Sequence, residues 1–350
     1  MDYLHSPFEL SQPPDNIHWR EERAPLGALC YLLNIIGIVG NTVVLYIFLT
    51  RMPASNYRVF VMSLSGLDLS MCIDHVIKEL NRMFIIYRQF EDVLQTHICA
   101  MGNYIGYLAG VPALPIVTFI AFERYRKICT PFKPQITIKR SKIMCIVSIL
   151  LCVPIVSPVY EIYGVRFVKV DNITATRCDT KNKYDYSVLP FVFPLFTFIS
   201  VSFNIVAILI FQIKIRNALV QKAKSKMRMK NLKNTTILKV VAGTANQEEA
   251  KKPQPSVEDQ EAAKNRRIAI TFSIVTSMLV ISFVTLNIFH LAQGIERYVS
   301  PNREISKVED VVNEYVPDAI ILNGILNPFV YFVTDNQFRQ EVFKLCGRNI

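Results

Sequence analysis

Long apolar runs separated by shorter polar and basic stretches dominate the pattern of this chain. Seven runs, at 26–50, 57–82, 99–125, 142–164, 187–213, 267–292 and 315–334, each approach the ~20 residues a helix needs to cross a bilayer core. Helix is the predicted form because, in lipid, each backbone N–H and C=O must be satisfied within its own segment. The second run is the least clean, interrupted by Asp74, His75, Lys78 and Glu79. The pattern predicts an all-α membrane protein, a seven-helix transmembrane bundle over 26–334 after a polar N-terminal stretch, 1–25. A polar insertion at 214–265 separates the fifth and sixth runs. Its ends are placed to prolong both helices, and its middle, with Pro253, Pro255 and clustered acids, has too few apolar residues to order itself. In the tail, 335–350, Phe338, Val342 and Leu345 recur on one helical face. This predicts a short amphipathic helix along the inner leaflet, with Cys346 at its end as a candidate palmitoylation site.

Composition narrows the class. Of 350 residues, 51% are hydrophobic, an apolar load that soluble domains of this length rarely carry. The net charge of +11 lies between apolar runs rather than on a basic face with interleaved aromatics, so nucleic acid is not an expected partner and the lipid bilayer is. Lys and Arg placement sets the orientation. The stretch 126–142 holds six basic residues and no acid, and 214–267 holds fourteen, against Arg20 and Arg23 before the first run. Basic loops stay cytoplasmic, which predicts the N-terminus outside and the C-terminus inside a plasma membrane. Residues 1–24 lack the apolar core of a signal peptide, so the first helix is expected to act as its own insertion signal. Cys30, Cys72, Cys145 and Cys152 lie inside apolar runs as packed thiols. Cys99 and Cys178 both fall on the outer side, where either a disulfide or two free thiols is open. Asn172, in Asn172-Ile173-Thr174, is a glycosylation acceptor on that same side. The chain shows no nucleophile with a base, no metal-ligand cluster and no phosphate loop, so no enzyme and no metal is expected. It shows no internal repeat of the kind transporters are built from.

Two short motifs carry more. Glu123-Arg124-Tyr125 closes the third run, and a charged triplet at the edge of hydrocarbon marks a working position. Asn327-Pro328-Phe329-Val330-Tyr331 lies near the end of the last run. In this order and placement the pair resembles the rhodopsin-like (class A) G-protein-coupled receptors, over roughly residues 25 to 346. The stretch from Arg124 to Lys133 is similar to invertebrate orphan and peptide receptors of that family. The resemblance implies a disulfide between Cys99 and Cys178 that pins the outer loop 165–186 over the bundle mouth. It implies that Glu123 holds Arg124 until an extracellular ligand releases it for a heterotrimeric G protein, as the inner ends of the fifth and sixth helices move out. Pro131 and Phe132 match the inner-loop position that docks on the G protein; Phe132 as a membrane-surface anchor stays open. Pro328 kinks the seventh helix, so that Tyr331 can swing between two packings. Asp68, buried mid-membrane, is expected to find Asn41, Asn323 and Asn327 as partners. The family often holds a sodium ion at this cluster with a hydroxyl from the third helix. Ala113 stands at that position, so sodium at Asp68 and a hydrogen-bonded cluster without it both stay open; no other cofactor is expected.

The departures are specific. Trp19 is the one tryptophan. The fourth helix therefore lacks the family's tryptophan, and Phe283 takes the place of the one in the sixth. The sixth helix lacks its proline, and Ser202 stands where the fifth usually has a tyrosine. Pro112 and Pro115 should bend the third helix. Ligand classes are tested by absence as well. Ile321 replaces the lysine that light-sensing relatives need for a Schiff base, and Gly106 replaces the aspartate of amine receptors. At about 100° per residue, His75 and Glu79 point within about 20° of Asp68, with Lys78 to one side. With Tyr104, Tyr107, Phe283, His290, Glu314 and Asp318 they predict a wide, mixed-charge pocket suited to a peptide. In the alternative, Lys78, Glu79 and Asp318 merely pair with one another. A receptor for a small non-amine ligand, and a seven-helix binding protein that does not signal, are the competing functional readings.

Overall fold

The computed structural model describes residues 15–85, 93–170, 173–241, 257–300, 303–317 and 321–347. Ten helices and one hairpin follow in the order α1 (Asp15–Thr50), α2 (Asn56–Ile85), α3 (Val93–Gly110), α4 (Ala113–Cys129), α5 (Ile138–Ile162), β1 (Tyr163–Val170), β2 (Ile173–Thr180), α6 (Leu189–Val241), α7 (Val257–Val299), α8 (Lys307–Tyr315), α9 (Ile321–Thr334) and α10 (Asn336–Leu345). Six helical spans are long and apolar enough to cross a membrane, and α9 adds a shorter apolar helix.

The third span is two helices in line, parted at Val111-Pro112. Neither Pro112 nor Pro115 can donate to the preceding turn, so the ladder breaks there. The seventh span departs from the expected 315–334. The apolar helix starts at Ile321, while Lys307–Tyr315 forms a separate helix whose first turn is capped by Ser306. Val316, the residue after α8, keeps helical angles (φ −63°, ψ −41°) and its N–H bonds to Val312 O. The first helix begins at Asp15, earlier than position 26, and α6 and α7 run far beyond the hydrocarbon span into the polar insertion, to Val241 and from Val257.

Inside lipid, helix association comes from close packing rather than from the hydrophobic effect, and small residues mark the close approaches. At Gly40 an added Cβ would lie 3.0 Å from Pro328 Cγ, and at Gly37 it would lie 2.6 Å from Cys72 Sγ. These two glycines let α1 seat against α2 and α9. The core runs through the inner half, where Phe48, Phe60, Leu64, Ile116, Ile120, Phe272, Leu279 and Tyr331 are buried together. Lipid-facing residues such as Leu32, Leu150 and Phe203 are apolar and exposed. Phe338 of α10 is buried and Val342 packs on the same core, while Leu345 on the expected common face is exposed. Arg51 pairs with Glu341 at 3.5 Å and ties α10 to α1.

The outer loop after α5 is a two-stranded antiparallel hairpin with Tyr163 opposite Thr180 and Val170 opposite Ile173. Cys99 and Cys178 are joined by a disulfide, which anchors β2 to α3. Of the thiols expected to be packed, Cys72, Cys145 and Cys152 are buried and Cys30 is half-buried. Asn172 lies outside the described residues.

Candidate functional site

A cavity of about 370 Å³ opens in the outer half of the bundle. Polar side chains reach it from α2 and α3, with His75, Lys78, Asn103 and Tyr107, and from α6 and α7, with Thr197, Asn204 and Asn287, and its floor includes Leu114 of α4 and Phe283 of α7. Most of the rest is apolar, with Leu151, Cys152 and Ile155 of α5 and Phe196 and Val201 of α6. The wide, mixed-charge mouth expected from sequence is therefore a smaller and mostly apolar chamber. Lys78 does face it, but its ammonium is 2.8 Å from Asp74, a residue the sequence marked only as an interruption of the second run. Gly106 explains the placement. A Cβ there would stand 3.1 Å from Lys78 Nζ and 3.3 Å from Asp74 Oδ2, so the missing side chain is the space in which the ion pair sits.

His290 and Tyr107 line the cavity as expected and lie with ring centroids 6.3 Å apart. Tyr104 and Glu79 do not line it. Tyr104 packs instead beside Val156, Val159 and Phe193, because its position on α3 turns toward α5. Glu79 is buried elsewhere along α2. Asp318 and the side chain of Glu314 lie outside the described residues.

Above the cavity, charge organises the hairpin. Asp179 lies 2.6 Å from Arg297 of α7, also contacts Arg177, and accepts from the Thr180 backbone N–H at 2.7 Å. Arg177 reaches Asp310 of α8 at 2.9 Å. Burial alone would push the Asp179 carboxyl up; Arg297 and Arg177 outweigh it and hold the group well below the usual carboxylate range. The hairpin is thus fastened to α3 by a covalent bond and to α7 and α8 by ion pairs.

Phe283 joins the cavity to the packed core: it lines the former and belongs to the latter. Its neighbour Ser282 donates to Asn323 Oδ1 at 3.1 Å, a link from α7 to α9 that sequence reasoning missed. One turn inward, Asn327 donates to Asp68 Oδ2 at 2.8 Å. Asn41 is brought to the same interface but donates to the carbonyls of Gly37 and Gly324, at 2.9 and 3.0 Å, rather than to Asp68. Gly324 is what allows the approach, since a Cβ there would meet Asp68 Cβ at 3.1 Å. Ala113 is buried on α4 and offers no side-chain oxygen. The residues present do not complete the sodium-holding set implied by the family, and no step is assigned to that ion.

At the inner end Arg124 is almost fully buried, with its Nε 2.6 Å from Glu123 Oε2. That contact is a charge pair without hydrogen-bond alignment, and the guanidinium nitrogens find no aligned acceptor among the described residues. Glu123 is shared: Lys127 approaches its Oε1 at 2.9 Å and Asn56 donates to it at 3.1 Å. Tyr125 turns away from this group and packs on Phe211 of α6, with Lys214 over its ring. Beside Arg124 a second cavity of about 630 Å³ is lined by Tyr57, Lys127, Arg267, Thr271, Thr334 and Asp335, among others. Tyr331 is fully buried near Phe48, and its hydroxyl has no protein partner among the described residues. Pro131 and Phe132 stand on the turn after α4, and Phe132 is wholly exposed.

Comparison with known proteins matches the geometry. The family described as 7 transmembrane receptor (rhodopsin family) matches residues 40–331. The chain is 30% identical to opsin Rh4 of Drosophila melanogaster over 186 residues, 48% of this chain and 46% of the opsin. It is 25% identical to the human motilin receptor over 38% of this chain and 32% of that receptor. It is 25% identical to a GQ-coupled rhodopsin of Mizuhopecten yessoensis over 42% of this chain and 31% of the rhodopsin. The chain thus spans half or less of the length of these curated relatives.

Proposed function

Because the chain belongs to the rhodopsin family of seven-transmembrane receptors, we propose that it is a ligand-gated receptor that activates heterotrimeric G proteins from the plasma membrane, with its N-terminus outside. The observation that carries this reading is the pair of cavities at opposite ends of one bundle, linked through Phe283, Ser282, Asn323 and the Asp68–Asn327 pair. A ligand that presses on Phe283 favours one rotation of α7, and α7 carries Ser282 and, at its inner end, Arg267 and Thr271. Thr271 donates to Thr334 at 2.8 Å, so moving the inner end of α7 out parts it from α9. The enlarged inner cavity then exposes Arg124. Its basic lining suits the C-terminal end of a G-protein helix, which carries negative charge from its dipole and its carboxylate. The ligand supplies only its difference in affinity between the two conformers.

For the ligand, the volume and apolar lining favour a small non-amine molecule with one polar end, within the range of small-molecule sites. A peptide is the second reading, favoured by the charged residues of the hairpin and of the α7 and α8 ends. Relatives named as opsins raise light as an input, but Ile321 offers no amine for a Schiff base. The test is a screen of lipophilic small molecules and neuropeptides on cells expressing the protein with a promiscuous G protein, with Arg124→Ala in parallel. Activation by a small lipophile that Arg124→Ala abolishes is the expected result. Responses to peptides alone would overturn the ligand class, and saturable binding with no G-protein activation would leave a non-signalling binding protein.

A further inference from the structure

The outer cavity is not lined evenly. Its one charged side chain, Lys78, comes from α2 with His75 and Asn103 near it, although α5, α6 and α7 also add polar groups, among them Ser148, Asn204 and Asn287. On the α5 and α6 side, Val147, Leu151, Ile155 and Phe196 form an apolar strip. Those four side chains line the cavity and are also among the exposed large apolar residues of the bundle, Leu151 at 60% and Phe196 at 50%. A residue that belongs both to a cavity wall and to the lipid-facing surface stands at an opening. Few contacts join α5 to α6, whereas α5 packs well on α3 and α6 on α4 and α7. The water-facing end differs. There the hairpin is tied down by the Cys99–Cys178 bond and by the Asp179–Arg297 and Arg177–Asp310 pairs.

We propose that the cleft between α5 and α6 is a lateral portal through which a lipophile with one polar end enters the cavity from the bilayer. The molecule passes Leu151 and Phe196 with its apolar body still in a hydrocarbon environment, which avoids the cost of exposing that body to water. Its polar end comes to rest against His75, Lys78 and Asn103, and its apolar body fills the α5–α6 side. This inference rests on the small-ligand reading above and adds its route and orientation.

The test uses the full chain in lipid nanodiscs and a long-chain alcohol bearing a diazirine near its chain end. After illumination, adducts are mapped by mass spectrometry at Leu114, a buried residue of the cavity floor, and at Leu209, an exposed residue of α6 away from the cavity. The wild-type protein is expected to carry adducts at Leu114 as well as Leu209. Narrowing the portal with Leu151→Trp and Phe196→Trp together should cut Leu114 adducts more than tenfold while Leu209 adducts stay within twofold. Widening it with Leu151→Ala and Phe196→Ala should raise the Leu114 adducts at short exposure at least threefold, and this pair decides the matter if the tryptophan pair does not fold. Leu114 adducts that ignore both pairs would overturn the portal and leave the cavity ligand standing. Their absence from the wild-type protein would overturn the lipophile reading itself.

Discussion

The hairpin latch gives the most direct test of how this fold holds its outer end. Asp179→Asn keeps the shape of the side chain and removes its charge, so Arg297 and Arg177 face a neutral amide. Removing one partner of a buried pair costs about 3–5 kcal/mol. Here the partners are not fully buried: the side chains of Asp179, Arg177 and Arg297 are 8%, 12% and 18% exposed, and Arg177 keeps Asp310. A loss of about 2–3 kcal/mol in the local stability of the hairpin follows. At 1.4 kcal/mol per factor of ten, that is a roughly 30- to 150-fold faster opening-limited hydrogen exchange. The assay is amide exchange of segment 163–180 in the full chain, in nanodiscs, with the disulfide intact. The pH dependence has a definite sign. The Asp179 carboxyl is depressed, so its stabilisation is fully present above its unfolded value of about 3.9 and is lost as pH falls through the lower folded value. Exchange corrected for intrinsic chemistry should therefore be flat from about pH 5 to 8 and rise only below about pH 4 in the wild-type protein. Exchange that changes less than about threefold on substitution would refute the latch.

Phe132→Ala should leave the thermal midpoint nearly unchanged, since surface substitutions usually fall within about 0.5 kcal/mol, yet lower G-protein activation several-fold; unchanged activation would make Phe132 a membrane anchor only. Gly37→Val places a Cβ 2.6 Å from Cys72 Sγ and 3.0 Å from Ile325 Cγ1, and should cost about 1–3 kcal/mol as overpacking, read as a lower melting temperature in detergent. Ser282→Ala removes the bond to Asn323 and should cost about 0.5–1.5 kcal/mol. It should also shift basal G-protein activation, whereas a purely structural bond would lower stability and leave basal activation per folded receptor unchanged.

Much of this molecule is written in one dimension. The helical spans are legible because a bilayer demands a fixed length of apolar chain, and their inner ends because basic residues collect there. The break at Pro112 follows from a missing N–H. The hairpin had a local signal, with β-branched residues in Tyr163–Val170 and Ile173–Thr180 on either side of Asp171-Asn172, which the reading of 165–186 as an outer loop did not use. Burial marked Asp68 as a carboxylate in need of donors, and the family resemblance supplied Asn327 as one of them.

The partners of the charged residues were decided in three dimensions. Helical phase gives the direction of a side chain to within a few tens of degrees, and that cannot separate the α3–α5 interface that takes Tyr104 from the cavity that takes Tyr107. Nor does it reveal that the gap left by Gly106 draws Lys78 onto Asp74, or that Asn41 satisfies backbone carbonyls instead of Asp68. The opening between α5 and α6 belongs to neither helix, since it exists only in the distance between them. Sequence fixes what each helix can bury; the packing of seven such surfaces against one another sets which groups meet and where space is left.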